Sequence, residues 1–152
     1  MADEADKIVP ERPLTGEERQ AIARAEAVVA GLAGQYLAAA AVDLAGLKAA
    51  AGRLAVDPAG RALHLDRLFR ISHDMKGQGA TFGYPLVTAI GNRLCRFIEK
   101  WRENLDDAGV AVVRRHVEAL DRVLGERMRA VDTPEAEALL VSLDEVAAAA
   151  GS

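Results

Sequence analysis

Between positions 35 and 130 apolar residues return every three or four places, in four separate runs, and that period admits one kind of local structure. Spacing of three and four lines one side of an α-helix, because 3.6 residues make a turn, whereas a half-buried strand alternates at every second residue. The first run is Leu37, Ala40, Leu44, Leu47, Ala51 and Leu54, and the second is Leu68, Ile71, Met75 and Phe82. The third is Val87, Ile90, Leu94, Phe97 and Trp101, and the fourth is Val113, Val117, Leu120, Leu124 and Met128. Alanine, the best helix former, supplies 31 of the 152 residues and aromatics only 4%, so composition argues with the period for an all-α fold and against sheet.

Proline and glycine punctuate these runs, since proline lacks the N–H that a helix needs and glycine is costly inside one. Residues 1–14, with Pro10 and Pro13, read as a flexible polar leader, and residues 15–150 as a single helical domain. Thr15 followed by Glu18 has the spacing of a capping box, which starts a helix near Gly16 that runs to about Ala30. Gly31 and Gly34 loosen the chain there, with one long bent helix into the next segment as the alternative. A second helix covers about residues 35–54. With Asp57 as cap and Pro58 at the first helical position, a third runs through Phe82. A fourth begins at Pro85, a fifth covers about residues 107–130, and Thr133-Pro134 opens a shorter sixth carrying Leu139, Leu140 and Leu143. Short links between long helices favour antiparallel neighbours. The second to fifth helices, about residues 35–130, are therefore expected to form an up-down four-helix bundle with the first and last helices added to it.

Nineteen Lys and Arg against 23 Asp and Glu leave a net charge of −4 with neither sign gathered into a block, which disfavours nucleic-acid binding through a basic surface. Cys95 is the one cysteine, so no internal disulfide can form. No Cys-x-x-Cys or His-x-x-x-His spacing offers a metal site, and no cofactor or metal is expected on this chain. The first 13 residues are charged rather than apolar, and no run of about 18 uncharged apolar residues occurs, so neither signal peptide nor membrane span is expected. The chain reads as soluble, cytoplasmic and monomeric.

One segment departs from plain packing. In the third helix Leu68, Ile71, Met75 and Phe82 take the core side, which turns His73 outward on a line with Phe69, Lys76, Gly77 and Ala80. Glycine on an exposed helical face costs about 1 kcal/mol against alanine and adds nothing to the core, so Gly77 implies that something needs the space beside the imidazole. Lys76 places a positive charge one turn from the ring, suited to an anion carried there. A neutral imidazole has a free nitrogen lone pair and can act as a nucleophile unaided. Asp74 adjoins His73 but points about 100° away, so the two do not form a nucleophile and base pair.

His73-x-x-Lys76-Gly77, with Gly83 ten positions after the histidine, resembles the signature of histidine-containing phosphotransfer domains. The resemblance is close over the third and fourth helices and looser over residues 35–130. It implies a phosphorelay intermediate in which His73 accepts a phosphoryl group from an aspartate of a response-regulator receiver domain and passes it on. It implies further that Lys76 lies near that group, that Gly77 and Gly83 give clearance, and that the receiver supplies Mg²⁺ and most catalytic groups. A hybrid sensor histidine kinase is a possible further partner, and no ATP-binding segment is present. Family members often carry Gln or Glu 22 positions after the histidine, reaching back to hydrogen-bond the imidazole. Here that position is Cys95, a weak donor and acceptor, with Asn92 one turn earlier as a substitute.

Each of these residues also has a plainer reading. An isolated exposed histidine is ordinarily a solvated one; Lys76, Gly77 and Gly83 together reverse that balance. Phe69 is either a stray edge residue or, with Tyr84, an apolar docking patch beside the histidine. Ala80 leaves room for a docking partner. Arg70, Arg93 and Arg96 are solvated charges, of which some could complement an acidic partner. Gly79 faces nearer the core and fits close helix packing. His64 falls opposite His73 and suits a cap or core-edge role, His116 lies beside apolar positions, and Cys95 suits a small apolar packer. The glycines from Gly77 to Gly83 have the wrong final spacing, and no preceding strand, for a nucleotide loop. The competing function is a helical adaptor that binds a signalling partner without phosphoryl chemistry.

Overall fold

The structure, a computed structural model, describes residues 12–151. Five α-helices make up its regular structure: α1 (Gly16–Val56), α2 (Arg61–Gly79), α3 (Pro85–Trp101), α4 (Asp107–Gly125) and α5 (Pro134–Ala150). Short 3₁₀ turns at Pro58–Gly60 and Ala80–Phe82 flank α2, and no strand occurs among the described residues. Most of the flexible leader expected at residues 1–14 lies outside the described residues.

The chain divides into two units, one ending at Gln35 and the other beginning at Tyr36. In α1 the buried side chains begin at Tyr36. In the first unit the Thr15–Glu18 capping box forms as the spacing predicts. Glu18 N–H donates to Thr15 Oγ1 at 3.1 Å and Thr15 N–H to Glu18 Oε1 at 3.1 Å, while Arg12 pairs with the same carboxylate and holds it below the ordinary glutamate value. Ile22, Val28, Val29 and Leu32 are exposed.

Helix α1 does not stop at Ala30. It runs unbroken to Val56, the long-helix alternative, because the good helix formers around Gly31 and Gly34 outweigh two glycine costs of about 1 kcal/mol each. By length and composition alone α1 is also long and apolar enough to cross a membrane. Glu26 and Asp43 bound its uncharged stretch just short of the length an uncharged span needs.

The second unit holds the core. Ala40, Leu44, Leu47, Ala51 and Leu54 of the first predicted stripe are buried and Leu37 is half-buried, so residues 36–56 bury one side, as the spacing demands. Leu65, Leu68 and Met75 of α2, Leu86, Val87, Ile90, Leu94 and Ile98 of α3, and Val113, Val117, Leu120 and Val123 of α4 join them. Helix α5 adds Ala136 and Leu143 to the same core. Helix α2 packs on α3, α3 on α4, and α5 on both α3 and α4.

The helix ends show where local chemistry sets the boundaries. Asp106 caps α4 by accepting from Gly109 N–H at 2.8 Å, and Thr133 caps α5 by accepting from Ala136 N–H at 3.1 Å with Pro134 next in line. Asp57 does not cap the turn that follows it; its carboxylate instead meets His64 Nε2 at 2.9 Å, which lowers the Asp57 pKa and gives His64 its core-edge role. Helix α4 ends at Gly125, short of residue 130. Arg127 adopts φ 55°, and Met128 N–H donates to Val123 O at 2.8 Å while Arg127 N–H reaches Leu124 O, a left-handed closure made without glycine. Arg61 ties three segments by donating to Leu54 O and Leu105 O and pairing with Asp107 at 2.8 Å.

Candidate functional site around His73

His73 sits in the last third of α2 with its side chain exposed, as the helical phase predicts. Phe69, half-buried, lies one turn earlier with its ring centroid 5.8 Å from the imidazole and tilted by 34°. A shallow cleft of about 270 Å³ beside the ring is lined by Phe69, Arg70, His73 and Asp74. Arg70 is exposed and leans on Asp66 at 3.4 Å.

Gly77 follows one turn later, and a methyl group placed on it would meet nothing within 4 Å. The space inferred from the sequence is therefore present. Gly79 differs: its Cβ would lie 2.7 Å from Thr88 Oγ1 and 2.9 Å from Tyr84 O, so that glycine serves the packing of α2 on the start of α3.

Lys76 is half-buried, with its Cβ close to Gly91 of α3. Two residues of α3 hold its backbone. Thr88 Oγ1 donates to Lys76 O at 2.8 Å and accepts from Ala80 N–H at 2.8 Å, which satisfies two groups where α2 gives way to the 3₁₀ turn. Gly91 lets the helices meet, since a Cβ there would stand 2.8 Å from Lys76 Cβ and 3.3 Å from Ser72 O. Neither residue was singled out in sequence. A glycine inside the α3 stripe is a legible sign of close approach, whereas the Thr88 bridge joins groups twelve positions apart and has no local signal.

Behind the histidine lies a buried polar pair. Ser72 Oγ donates to Leu68 O at 2.7 Å and meets Cys95 Sγ at 3.3 Å, with both residues enclosed. Burial raises the Cys95 pKa, so the thiol stays protonated near neutrality, consistent with a packing residue. Neither Cys95 nor Asn92 hydrogen-bonds the imidazole of His73. On the α1 flank, burial and then the charge of Asp74 raise the Asp43 pKa, so the rim of the site toward α1 is acidic while Lys76 supplies a cation toward α3.

Two expectations around the site need correction. Tyr84 is expected with Phe69 on an exposed docking patch, yet it is 5% exposed, with its ring 5.4 Å from Tyr36 and tilted by 30°, and the Arg129 guanidinium lies 5.3 Å over it. It lies just before α3, where no helical phase indicates its side, and its ring fills the core instead. Phe82 was assigned to the core, but it occupies the 3₁₀ turn, 37% exposed, with its ring 5.2 Å from Tyr36. Gly83 has a conformational reason: φ 85° is the left-handed region, and a Cβ would run into Arg129, whose Nε donates to Gly83 O at 2.9 Å. Ala80 is exposed at the edge of this turn.

The other titratable candidates lie away from His73. His116 is 1% exposed, and its Nδ1–H donates to Val112 O at 2.8 Å; burial lowers its pKa. It borders a separate cleft of about 430 Å³ with Arg93, Arg96, Lys100 and Trp101, in which Arg93 is paired with Asp144 at 2.9 Å. Among the described residues no three His, Cys, Asp or Glu side chains gather where they could hold a metal ion. The arrangement at His73 suits a single exposed nucleophile that a large partner approaches over bare backbone.

Residues 31–123 match the family model of the Hpt domain. No curated protein and no solved structure matches the chain.

Proposed function

The chain belongs to the Hpt domain family, which serves histidine phosphotransfer in phosphorelays, and on that premise we propose that His73 is the residue that takes up and releases the phosphoryl group. The observation that carries this reading is an exposed imidazole with open space over Gly77 one turn away. The unprotonated nitrogen of neutral His73 attacks the phosphorus of a phospho-aspartate on a response-regulator receiver domain. An N–P bond forms as the acyl P–O bond breaks, and the aspartate leaves as a carboxylate; the reverse step hands the group to a second receiver. Such transfers depend on positioning and charge neutralisation more than on covalent help. Lys76 offsets phosphate charge, Gly77 and Ala80 leave room for the incoming backbone, and Arg70 forms part of the margin against which the receiver docks.

In this reading the chain is a phosphocarrier with no ATP site of its own, and Mg²⁺ belongs to the receiver. Residues 36–56 of α1 with α2, α3 and α4 form the antiparallel up-down bundle that presents His73, and α5 is an addition beyond the matched residues. The short connections between successive helices support that arrangement. We place the protein in the cytoplasm as a monomer without nucleic-acid or membrane partners, acting between receiver domains and possible hybrid sensor kinases. Incubation with a phosphorylated receiver is expected to yield acid-labile, base-stable phosphate on the chain, absent from His73→Gln. Stable binding of the receiver without transfer of label would support the adaptor reading instead.

A further inference from the structure

The phosphotransfer reading leaves one requirement open, which is what orients the imidazole. Cys95 occupies the position from which a Gln or Glu side chain would reach the ring, and its thiol is enclosed against Ser72, so no hydrogen bond fixes the ring from α3. An exposed imidazole without such a bond rotates about χ2, and each misaligned rotamer takes the attacking nitrogen away from the line of the breaking P–O bond.

The remaining restraint is aromatic. The Phe69 ring lies 5.8 Å from the imidazole at 34°, within the range of aromatic pairs. Phe69 is itself held: the Arg102 guanidinium, just beyond the end of α3, lies 5.2 Å from the centroid of the Phe69 ring. Asp66, one turn before Arg70 on α2, draws Arg102 into place with an oxygen 3.9 Å from Nη1. A chain of contacts thus runs from Asp66 through Arg102 and Phe69 to His73. The C-terminal end of α3 is therefore coupled to the ring without touching it.

Resting on the phosphotransfer reading, we infer that Phe69 and Arg102 are positioning residues that set the orientation of the His73 ring in place of a hydrogen bond. Phe69 acts through its tilted ring–ring contact with the imidazole, and Arg102 acts through Phe69. The role differs from docking in what it changes: positioning sets the rate within the receiver complex, whereas docking sets the receiver concentration needed to form it.

Two measurements on the full chain test this. In transfer from a phosphorylated receiver, Phe69→Leu keeps an apolar side chain but removes the ring, and is expected to lower the saturating rate by about tenfold with KM unchanged. Arg102→Gln lowers that rate by a smaller factor, and Phe69→Tyr, which keeps the ring, restores it. An increase in KM at an unchanged saturating rate would overturn the proposal and return Phe69 to docking. Independently of any transfer, NMR of the unphosphorylated chain is expected to show contacts between His73 and Phe69 ring protons and a ring-current displacement of the His73 resonances. Both should vanish in Phe69→Leu and weaken in Arg102→Gln. Their absence from the wild-type chain overturns the proposal. A wild-type chain that shows them yet accepts no phosphate overturns the phosphotransfer reading alone.

Discussion

Replacing Gly77 by alanine separates what the fold requires from what the partner requires. The added methyl meets nothing within 4 Å, so it introduces no clash. It also removes the conformational freedom that makes glycine unfavourable in a helix, a gain of about 0.5–1 kcal/mol. For a chain of this size about 1 kcal/mol moves the melting temperature by roughly 2–4 °C, so Gly77→Ala is expected to melt about 1–4 °C higher than the wild type. The same methyl stands one turn from His73 in the space an incoming receiver needs, and transfer from a phosphorylated receiver is expected to slow by about tenfold. Phosphorylation by a small donor such as phosphoramidate, which needs no such clearance, should remain close to wild type. Gly79→Ala is the control with the opposite sign: its methyl would press on Thr88 Oγ1, Tyr84 O and Thr88 N at 2.7–3.0 Å, and overpacking of that kind costs about 1–3 kcal/mol. Calorimetry on the two variants, paired with transfer rates from the receiver and from the small donor, reads all of these effects. A lower melting temperature for Gly77→Ala, or undiminished receiver transfer in both Gly77→Ala and the bulkier Gly77→Leu, refutes the reasoning.

Three further outcomes follow from the geometry. Gly91→Ala drives a methyl to 2.8 Å from Lys76 Cβ, so it should lower stability by about 1–2 kcal/mol after the helix-propensity gain, seen as an earlier urea midpoint. Arg127→Gly relieves a left-handed residue at the end of α4 and should raise stability by about 1 kcal/mol, measured in the same urea titration; a loss there would show that the Arg127 side chain outweighs its backbone strain. Burial holds the His116 pKa below the ordinary histidine value of 6.5, so the unfolded chain takes up a proton first as pH falls. This group's contribution is therefore complete above about pH 6.5 and declines from there toward its folded-state pKa, and His116→Gln should flatten that part of a stability profile; an unchanged slope would exclude His116 as its source.

Much of the fold is legible because burial repeats with the helical turn. Leu44, Leu47, Ile90, Leu94, Val113 and Leu120 could be assigned to the core from spacing alone, and Thr15, Pro85 and Thr133 mark helix starts through local chemistry. Legibility ends where a residue's environment comes from a distant segment. Tyr84 sits between helices, where no phase assigns a side, and its burial depends on Tyr36 and Arg129. The end of α4 was placed too late because the residue that takes the left-handed turn is Arg127 rather than a glycine. Helix α1 passes through Gly31 and Gly34 because glycine lowers helix stability without forbidding the conformation.

The same division holds at the site. The outward turn of His73 and the clearance at Gly77 follow from phase and residue type. The Thr88 bridge, the Ser72–Cys95 pair and the Arg102 contact on Phe69 join positions on different helices, and no window of sequence contains them. Arg102 lies beyond the last position of α3, where periodicity has already stopped.

The most direct measurement is the site of modification. After brief exposure to a phosphorylated receiver, intact-mass and fragment-ion spectrometry at neutral pH is expected to show one added phosphoryl group per chain, carried on His73 and missing from His73→Gln. A phosphoryl group found on His64 or His116, or retained in full by His73→Gln, would contradict the account.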